Sequence, residues 1–339
     1  MMNGKNVFIS GATGSFGKCA ARTILDRYDP QRLIIFSRDE LKQSEMREAF
    51  PDSPDSPVRY FIGDIRDKDR LRFALQNVDI IIHAAALKQV DTAEYNPFEV
   101  IKTNVVGTQN LVDAAIEQRV EKIVGLSTDK AAAPTNLYGA TKLCADKLLV
   151  AANNFTGPRT RLSVVRYGNV MGSRGSVIPK FLESRAQGIF SVTDKRMTRF
   201  TITLQQAVDF VLHAVGAMWG SEIFVPKIPS YRLTDVVTAI HPNPDLVVTG
   251  IRPGEKLHEA MITEIDAFNT ITFDKHYVIL PSAAPSWSLS QFCEESQPDI
   301  GVPVQDGFSY LSDTNPWFLS VDELKVLINQ ELGVNNDPL

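Results

Sequence analysis

The sequence has little cysteine, no long apolar run and no excess of basic residues. Cys19, Cys144 and Cys293 are odd in number and widely spaced, so they show no disulfide framework and no zinc motif and indicate reduced thiols. No N-terminal run resembles a signal peptide, and no later segment is long enough to cross a bilayer. A net charge of −5 argues against a general nucleic-acid binder. These absences predict a cytoplasmic protein.

Recognisable metal-binding patterns are absent as well, because no histidine has metal-like spacing with a cysteine or an acidic residue. We therefore predict no metal site. What remains, 44% hydrophobic and 22% charged residues, is typical of soluble globular proteins. The 339 residues are enough for about two domains of roughly 150 residues each.

The first half of the sequence alternates short apolar, β-rich runs with helical patterns. The predicted strands are Asn6–Ser10, Leu33–Ser37, Val58–Ile62, Asp79–Ala84, Lys122–Ser127 and Ser163–Tyr167. The predicted helices are Lys18–Asp26, Lys68–Leu75, Pro97–Gln118 and Tyr138–Asn153. Strands that are apolar throughout suit a parallel sheet that is covered by helices on both faces. The alternation therefore predicts an α/β fold, namely a Rossmann-like doubly wound parallel sheet.

The second half has a different character, because the alternation weakens after Tyr167 and Gly, Pro and Arg become prominent. We predict a dinucleotide-binding Rossmann domain over residues 1–170 and a smaller region, mainly for substrate binding, over residues 171–339. A helical pattern near residues 204–219 is expected to return to the sheet. The boundary is therefore not expected to be one clean cut.

A glycine-rich turn, SGATGSFGK, follows the first predicted strand and opens the first helix. Its glycines form G-x-x-G-x-x-G, a variant of the dinucleotide fingerprint that brings a pyrophosphate to a helix N-terminus. Glycine used only for backbone freedom at a strand–helix turn is the alternative. Because strand, turn and helix occur together, we predict a dinucleotide site. Its loop contacts are Gly11, Thr13, Gly14, Ser15, Phe16 and Gly17.

The second strand ends in FSRDE, where an NAD site usually has an acidic residue for the ribose 2′-hydroxyl. Ser37 and Arg38 instead offer a hydroxyl and a guanidinium that suit a 2′-phosphate, which favours NADP over NAD. Asp39 beside them keeps NAD open, and a solvated arginine is the alternative for Arg38. Further cofactor contacts are predicted at Lys42, Asp64, Ile65, Ala84, Ala85, Ala86, Lys88, Asn104, Tyr138, Lys142 and Val170.

The segment STDKAAAPTNLYGATK combines a phenol, a carboxylate and two amines. Tyr138 and Lys142 are four residues apart and share one face of a helix. A free phenol has a pKa of about 10, and we expect Lys142 and a positive nicotinamide to lower it so that Tyr138 can act as a base. Asp129 and Lys130 are an adjacent acid and base after the fifth strand. A surface ion pair is the alternative for these two residues.

The motifs GATGSFG, HAAALK, LSTDK and YGATK together resemble those of extended short-chain dehydrogenase/reductases. More closely, ALKQVDTAEYNP, LSTDKAAAPTNLYGATK, RYGNVMGSRGSVIP, MTRF, IFVPKIPS and GIRPGEKLHE resemble the UDP-N-acetylglucosamine 4,6-dehydratases that invert C5. These enzymes start pseudaminic acid biosynthesis. The resemblance covers nearly the whole chain. One departure is LKQVD, with Gln89 and Asp91, where family members often have LKHVP.

The resemblance implies an NADP-dependent hydro-lyase. Tyr138, with Lys142 beside it, is then the base that takes the proton of the sugar 4-hydroxyl while hydride passes from C4 to NADP⁺. Lys130 is the implied base at C5, Asp129 the acid at the departing 6-hydroxyl, and Thr128 a hydrogen-bonding partner of the 4-hydroxyl. Hydride then returns to C6, so the cofactor stays bound. Relatives that retain the C5 configuration typically carry Asp-Glu where this chain has Asp-Lys.

The same resemblance implies UDP-N-acetylglucosamine as the substrate and a homo-oligomer, with a hexamer built from dimers as the assembly that it suggests. Substrate contacts are expected at Lys88, Asn169, Arg174, Thr198, Arg199, Arg252 and Glu255. A solvated charge is the alternative for any one of these arginines. Three other functions stay open: a C5-retaining dehydratase, a nucleotide-sugar 4-epimerase that needs no Asp-Lys pair, and a catalytically silent NADP-binding sensor or scaffold.

Overall fold

The computed structural model describes residues 1–173, 176–281 and 287–333. The strands are β1 Asn6–Ser10, β2 Arg32–Ser37, β3 Val58–Ile62, β4 Ile80–His83, β5 Lys122–Thr128, β6 Arg161–Tyr167, β7 Asn169–Val170, β8 Ile189–Val192, β9 Thr198–Ile202, β10 Ile223–Pro226, β11 Ser230–Arg232, β12 Asp245–Val248, β13 Ala260–Ile262, β14 Thr270–Thr272, β15 His276–Ile279, β16 Val302–Pro303 and β17 Tyr310–Leu311. The α-helices are α1 Ser15–Arg27, α2 Glu40–Ala49, α3 Lys68–Ala74, α4 Val90–Tyr95, α5 Pro97–Ile101, α6 Gly107–Glu117, α7 Leu137–Thr156, α8 Val177–Glu183, α9 Leu204–Ala217, α10 Leu233–Ile240, α11 Glu264–Ala267, α12 Leu289–Glu295 and α13 Val321–Leu332.

A ten-stranded sheet forms the centre of the fold, in the order β16-β14-β15-β10-β6-β5-β4-β1-β2-β3. Strands β3 to β10 along this order pair in parallel, and β15, β14 and β16 extend the sheet in antiparallel pairing. The run β3-β2-β1-β4-β5-β6 has the order of dinucleotide-binding doubly wound domains. The predicted fold class is confirmed.

The central strands are buried because helices cover them. Every residue of β4 is buried, and β1 is buried from Val7 to Ser10. Helix α9 returns from the later part of the chain and packs against α1, β5 and β6. The sheet runs across residue 170, since β10, β14, β15 and β16 belong to it. A division of the chain near that residue therefore stays a prediction.

A second hydrophobic cluster lies in the part of the chain after residue 170. Phe190 on β8, Tyr231 on β11 and Leu324 on α13 are among its fully buried members. Helix α10 packs against α8, α13, β8 and β11 around it. A small sheet in the order β11-β9-β7 adjoins this cluster and carries Asn169 and Thr198, two of the predicted substrate contacts.

The single helix predicted over Pro97–Gln118 is wrong in one respect. A π-helix, Lys102–Val106, separates α5 from α6. Within it Asn104 is buried, with its side chain directed to the loop after β4. A π-helical turn within an α-helix is often found at a functional site. The hydrophobic periodicity of the sequence does not reveal such a turn.

In the ranges that the structure describes, no helix is long and apolar enough to span a bilayer, and no group of three or more His, Cys, Asp and Glu residues is arranged to hold a metal ion.

Candidate active site

The glycine-rich turn lies at the carboxyl ends of β1 and β4, where the strand order reverses. Gly11 has a φ of +66°, and a Cβ there would lie 2.8 Å from the Ala85 backbone. The Ser10 hydroxyl accepts hydrogen bonds from the amides of Ala84 and Ala85, which holds the two loops side by side. Gly14 caps α1 without a side-chain hydrogen bond, so the first amides of that helix stay available to an anion.

The residues after β2 have distinct partners. Asp39 caps α2 by accepting from Lys42 N at 3.0 Å, and its other oxygen lies 2.6 Å from Lys42 Nζ. The hydroxyl of Ser37 accepts from Gln43. Arg38 is 57% exposed in its side chain and lies 3.9 Å from Asp64. The Asp39 carboxylate is therefore bound to Lys42 of the helix that it caps, whereas the Arg38 guanidinium is largely exposed to solvent.

The predicted contacts after β3 are more constrained. Asp64 binds the Arg66 guanidinium at 2.7 Å. Ile65 is 4% exposed, and a Cβ at Gly107 would lie 2.8 Å from its side chain, so most of Ile65 packs against α6. The cofactor contact predicted at Ile65 stays a prediction.

The side chain of Asn104 holds the loop after β4 in place by hydrogen bonds. Its Oδ1 accepts from Leu87 N at 2.8 Å, and its Nδ2 donates to Leu87 O at 2.9 Å and to Thr141 Oγ1 at 3.0 Å. The amide is fully used inside the protein, so Asn104 fixes the backbone beside Ala86 and Lys88. Lys88 itself is exposed. Partial loss of hydration beside the surrounding protein, helped by the positive charge of Lys130, nevertheless lowers the pKa of Lys88.

Helix α7 carries the predicted Tyr-Lys pair. Its N-cap is Asn136, whose side chain accepts from Gly139 N. Lys142 is 5% exposed, and burial lowers its pKa although Asp146 opposes this. Burial also raises the pKa of Tyr138 to about 12, against the opposing charge of Lys130. In the protein alone, desolvation of the phenol therefore dominates. The expected lowering by Lys142 together with a positive nicotinamide stays a prediction.

The Asp-Lys pair forms a short 3₁₀ turn, Asp129–Ala131, directly after β5. Asp129 is fully buried, and its Oδ1 accepts from Thr128 Oγ1 at 2.8 Å and from Lys130 Nζ at 3.0 Å. Within the described residues its Oδ2 has no hydrogen-bond partner. Lys130 also donates to Asn169 Oδ1 at 3.2 Å. Asp129 is thus buried, Lys130 is half-buried with 23% of its side chain exposed, and the alternative of a surface ion pair does not fit this structure.

Lys130 is held in its charged form. Burial acts to lower the pKa of Lys130, but the negative charges of Asp129 and Glu259 outweigh it, so the pKa is raised. A base must be neutral to accept a proton, but in the resting site Lys130 carries the proton and is charged. A shift of one proton along the 3.0 Å bond from Lys130 Nζ to Asp129 Oδ1 gives a neutral amine and a carboxylic acid together.

Sequence reasoning missed Glu259, which lies at the start of β13. It is 3% exposed and lies 3.6 Å from Lys130 and 3.7 Å from Arg199. The only signal was its position as the last residue of GIRPGEKLHE, since its partners are distant in the sequence.

The predicted substrate residues fall into two groups. Arg199 and Asn169 lie in the first group, around Lys130, and the Thr198 hydroxyl nearby is hydrogen-bonded to His258 and Ser312.

The second group contains Arg252, which is exposed and lies 4.0 Å from Asp91, one of the two departures from the family motif. Glu255 stays near it, accepting from Arg252 N at 3.4 Å. Val170 lies next to Asn169 on β7 and is half-buried, and Arg174 is outside the described residues.

Comparison with known proteins shows the family of the chain. The family described as "Polysaccharide biosynthesis protein" matches residues 7–281. The chain belongs to this family. It is 52% identical to the UDP-N-acetylglucosamine 4,6-dehydratase (inverting) of Campylobacter jejuni strain 81-176, over 98% of this chain and 100% of the relative. It is also 36% identical to a UDP-glucose 4-epimerase of Rickettsia conorii, over 96% of this chain and 95% of that protein.

Among solved structures, the chain is similar to Pen from Bacillus thuringiensis, with a TM-score of 0.87 and 37% identity over 98% of this chain and 99% of that one. The resemblance to inverting UDP-N-acetylglucosamine 4,6-dehydratases, and with it the fold of an extended short-chain dehydrogenase/reductase, is confirmed.

Proposed function

We propose that this chain is a hydro-lyase, a UDP-N-acetylglucosamine 4,6-dehydratase that inverts C5 and works with tightly bound NADP. The observation that carries the proposal is the hydrogen-bonded pair of the buried Asp129 and the half-buried Lys130, which lies beside Tyr138 at the carboxyl end of β5. A dehydratase needs an acid and a base in addition to the Tyr-Lys pair, and these residues supply both. The activity named for the 52% identical relative agrees with it.

The residues at the glycine-rich turn fit a nicotinamide dinucleotide. The uncapped N-terminus of α1 would hold the pyrophosphate, and the alanine run beside Gly11 leaves the backbone open to close approach. Arg38 would bind a 2′-phosphate, because its guanidinium is exposed and Asp39 is engaged with Lys42. Bound there, NADP supplies a reversible hydride acceptor.

In the first step Tyr138 removes the proton of the sugar 4-hydroxyl, with Thr128 as the hydrogen-bonding neighbour of that oxygen. The hydride from C4 would pass to NADP⁺ held at the glycine-rich turn, which leaves a C4 ketone. The pKa of about 12 in the protein alone is too high for this role at neutral pH. Further positive charge near the phenol is needed, and the nicotinamide ring of the oxidised cofactor would bring it.

In the second step a proton passes from Lys130 Nζ to Asp129 Oδ1. The neutral Lys130 amine then takes the C5 proton, which the neighbouring C4 ketone has made acidic. Asp129 gives its proton to the 6-hydroxyl, the C6–O bond breaks and water leaves. The hydride would return from the reduced cofactor to C6, and C5 would receive a proton that comes ultimately from solvent on the opposite face, to give UDP-2-acetamido-2,6-dideoxy-L-arabino-hex-4-ulose.

A nucleotide-sugar 4-epimerase is the second candidate, because a relative of 36% identity has that name. An epimerase needs the Tyr-Lys pair but no acid–base pair at C5 and C6. The burial of Asp129 and its hydrogen bond to Lys130 favour the dehydratase. A C5-retaining dehydratase is disfavoured by the lysine, and a silent scaffold would not need to keep Tyr138 and Lys142 at the site.

The proposed activity is tested by incubating the purified protein with UDP-N-acetylglucosamine and no added cofactor. We expect a product that has lost one water, identified by mass spectrometry, because the cofactor is regenerated in each turnover. A product of unchanged mass that is the C4 epimer would establish the epimerase instead. No conversion, even with NADP and NAD supplied, would favour the scaffold.

The choice of NADP gives a separate prediction. We expect the dinucleotide released on denaturation to be NADP, and we expect Arg38→Ala to bind NADP about 10-fold to 100-fold more weakly, because a charge-assisted contact to the 2′-phosphate is lost. Binding is measured by calorimetry on protein stripped of cofactor, and NAD binding should change little. Arg32→Ala, at an exposed position at the start of β2, is the matched control. Equal losses for NADP and NAD would contradict the assignment.

Three further properties belong to this proposal. The product is the C5-inverted keto sugar with which pseudaminic acid biosynthesis begins, so that pathway is the proposed setting. We also propose a homo-oligomer, as the resemblance implies, and a cytoplasmic location, as the sequence predicts. The oligomer is checked by light scattering of the purified protein.

A further inference from the structure

Glu259 is a buried carboxylate to which the reaction above gives no part, yet it lies against the base of that reaction. Its Oε1 lies 3.6 Å from Lys130 Nζ and 3.7 Å from Arg199 Nε, and its Oε2 lies 3.9 Å from Lys256 Nζ. A carboxylate that is only 3% exposed needs nearby cations to compensate its lost hydration. Here it shares one of those cations with Asp129.

The backbone fixes Glu259 in this place. Its N–H donates to Ser312 Oγ at 2.8 Å, and its C=O accepts from Ser312 N at 2.8 Å. Lys256, three residues earlier, donates to Ala132 O at 2.7 Å in the turn that carries Lys130. The segment around Glu259 and the catalytic turn are therefore tied together, and the carboxylate stays next to Lys130.

The contact between Glu259 and Lys130 differs from that between Asp129 and Lys130. Asp129 accepts a hydrogen bond from Lys130 at 3.0 Å, whereas Glu259 is an ion-pair partner at 3.6 Å. In the described part of the chain, Glu259 Oε2 has no hydrogen-bond partner. Glu259 therefore acts on the ammonium through its charge, while Asp129 is the group that can receive the proton.

We propose that Glu259 is a positioning residue that holds the Lys130 ammonium in the resting site and controls how readily Lys130 transfers its proton to Asp129. This inference rests on the proposed function, because it gives the base of that reaction a partner. The Glu259 charge favours the ammonium, and the cations of Arg199 and Lys256 offset that charge. The charged and titratable groups around Lys130 are Asp129, Glu259, Arg199, Lys88, Lys256, Tyr138 and Tyr231.

The test measures the ionisation of Lys130 directly. The purified full chain is acetylated briefly at a fixed alkaline pH, and the peptide that contains Lys130 is quantified by mass spectrometry, because only the neutral amine reacts. Glu259→Gln keeps the size and removes the charge, and we expect Lys130 to react about 10-fold to 1000-fold faster, as for the loss of a close opposite charge. Lys256→Met removes a cation from the other side of Glu259, and we expect slower reaction.

Two variants serve as controls. Glu264→Gln removes the same charge from an exposed position on α11, and we expect no change at Lys130. Glu259→Asp keeps the charge, and slow reaction of Lys130 should be largely restored. Equal rates in the wild type and Glu259→Gln would overturn the inference. A rise in Glu259→Asp as large as in Glu259→Gln would also overturn it, because it would indicate a loosened site.

These readouts need no turnover, so absence of dehydratase activity in the wild type would count against the proposed function and not against Glu259. Where turnover is present, the pH–rate profile adds a second test. We expect the ionisation assigned to Lys130 to move to lower pH in Glu259→Gln, with KM little changed. An unmoved profile with a raised KM would instead make Glu259 a substrate contact and overturn its assignment.

Discussion

Tyr138→Phe is expected to lower kcat by about 10²-fold to 10⁴-fold, the range for loss of a general acid–base group. The phenol oxygen is the group that takes the 4-hydroxyl proton, and oxidation at C4 precedes every later step. Phenylalanine keeps the ring, so the fold and substrate affinity should change little. The measurement is initial dehydration of UDP-N-acetylglucosamine, together with the absorbance of reduced cofactor, which should not appear.

Tyr167→Phe is the matched control for this prediction. Tyr167 is buried, and burial together with the nearby Tyr138 raises its pKa, but no step is assigned to it. Removing its hydroxyl should leave kcat within a few-fold of the wild type. Similar losses in the two variants would show that the site responds to any lost phenol, and the role of Tyr138 as base would have to be given up.

Lys130→Ala is expected to reduce dehydration by a similar factor, about 10²-fold to 10⁴-fold, but at a different step. Without the amine, no group takes the C5 proton, whereas Tyr138 can still oxidise C4. We therefore expect reduced cofactor to accumulate when substrate is added, and no exchange of the C5 hydrogen with solvent. The two readouts are cofactor absorbance and NMR of the recovered sugar nucleotide.

Lys147→Ala, at an exposed position on α7, controls for the loss of a lysine and should behave as the wild type. Normal turnover in Lys130→Ala would remove the assigned base. Loss of C4 oxidation as well as dehydration would mean that Lys130 supports the Tyr138 step, through the charge that it places near the phenol, and would leave the base at C5 unassigned.

The sequence allowed the central part of the fold to be predicted closely. The bounds of β1 and β3 are those expected, because each is a short apolar run between turn residues. Helix α7 begins one residue before the predicted Tyr138 and continues to Thr156. Local pattern is sufficient for such elements, since periodicity and capping residues lie within the segment itself.

Features that depend on distant contacts could not be predicted in this way. The π-helix around Asn104 is linked to a loop after β4 and to Thr141 on α7, which no local pattern shows. The pKa of Tyr138 depends on burial by the folded chain, which outweighs the opposing charge of Lys130. Glu259 acquires its importance only when β13 is placed beside the turn after β5.

The stereochemistry of the product in heavy water tests the central claim most directly. The purified protein is incubated in D₂O with UDP-N-acetylglucosamine and no added cofactor, and the product is analysed by NMR. The account predicts a 4-keto-6-deoxy sugar that carries deuterium at C5 and has the L-arabino configuration. A dehydrated product with the D-xylo configuration would contradict inversion by Lys130.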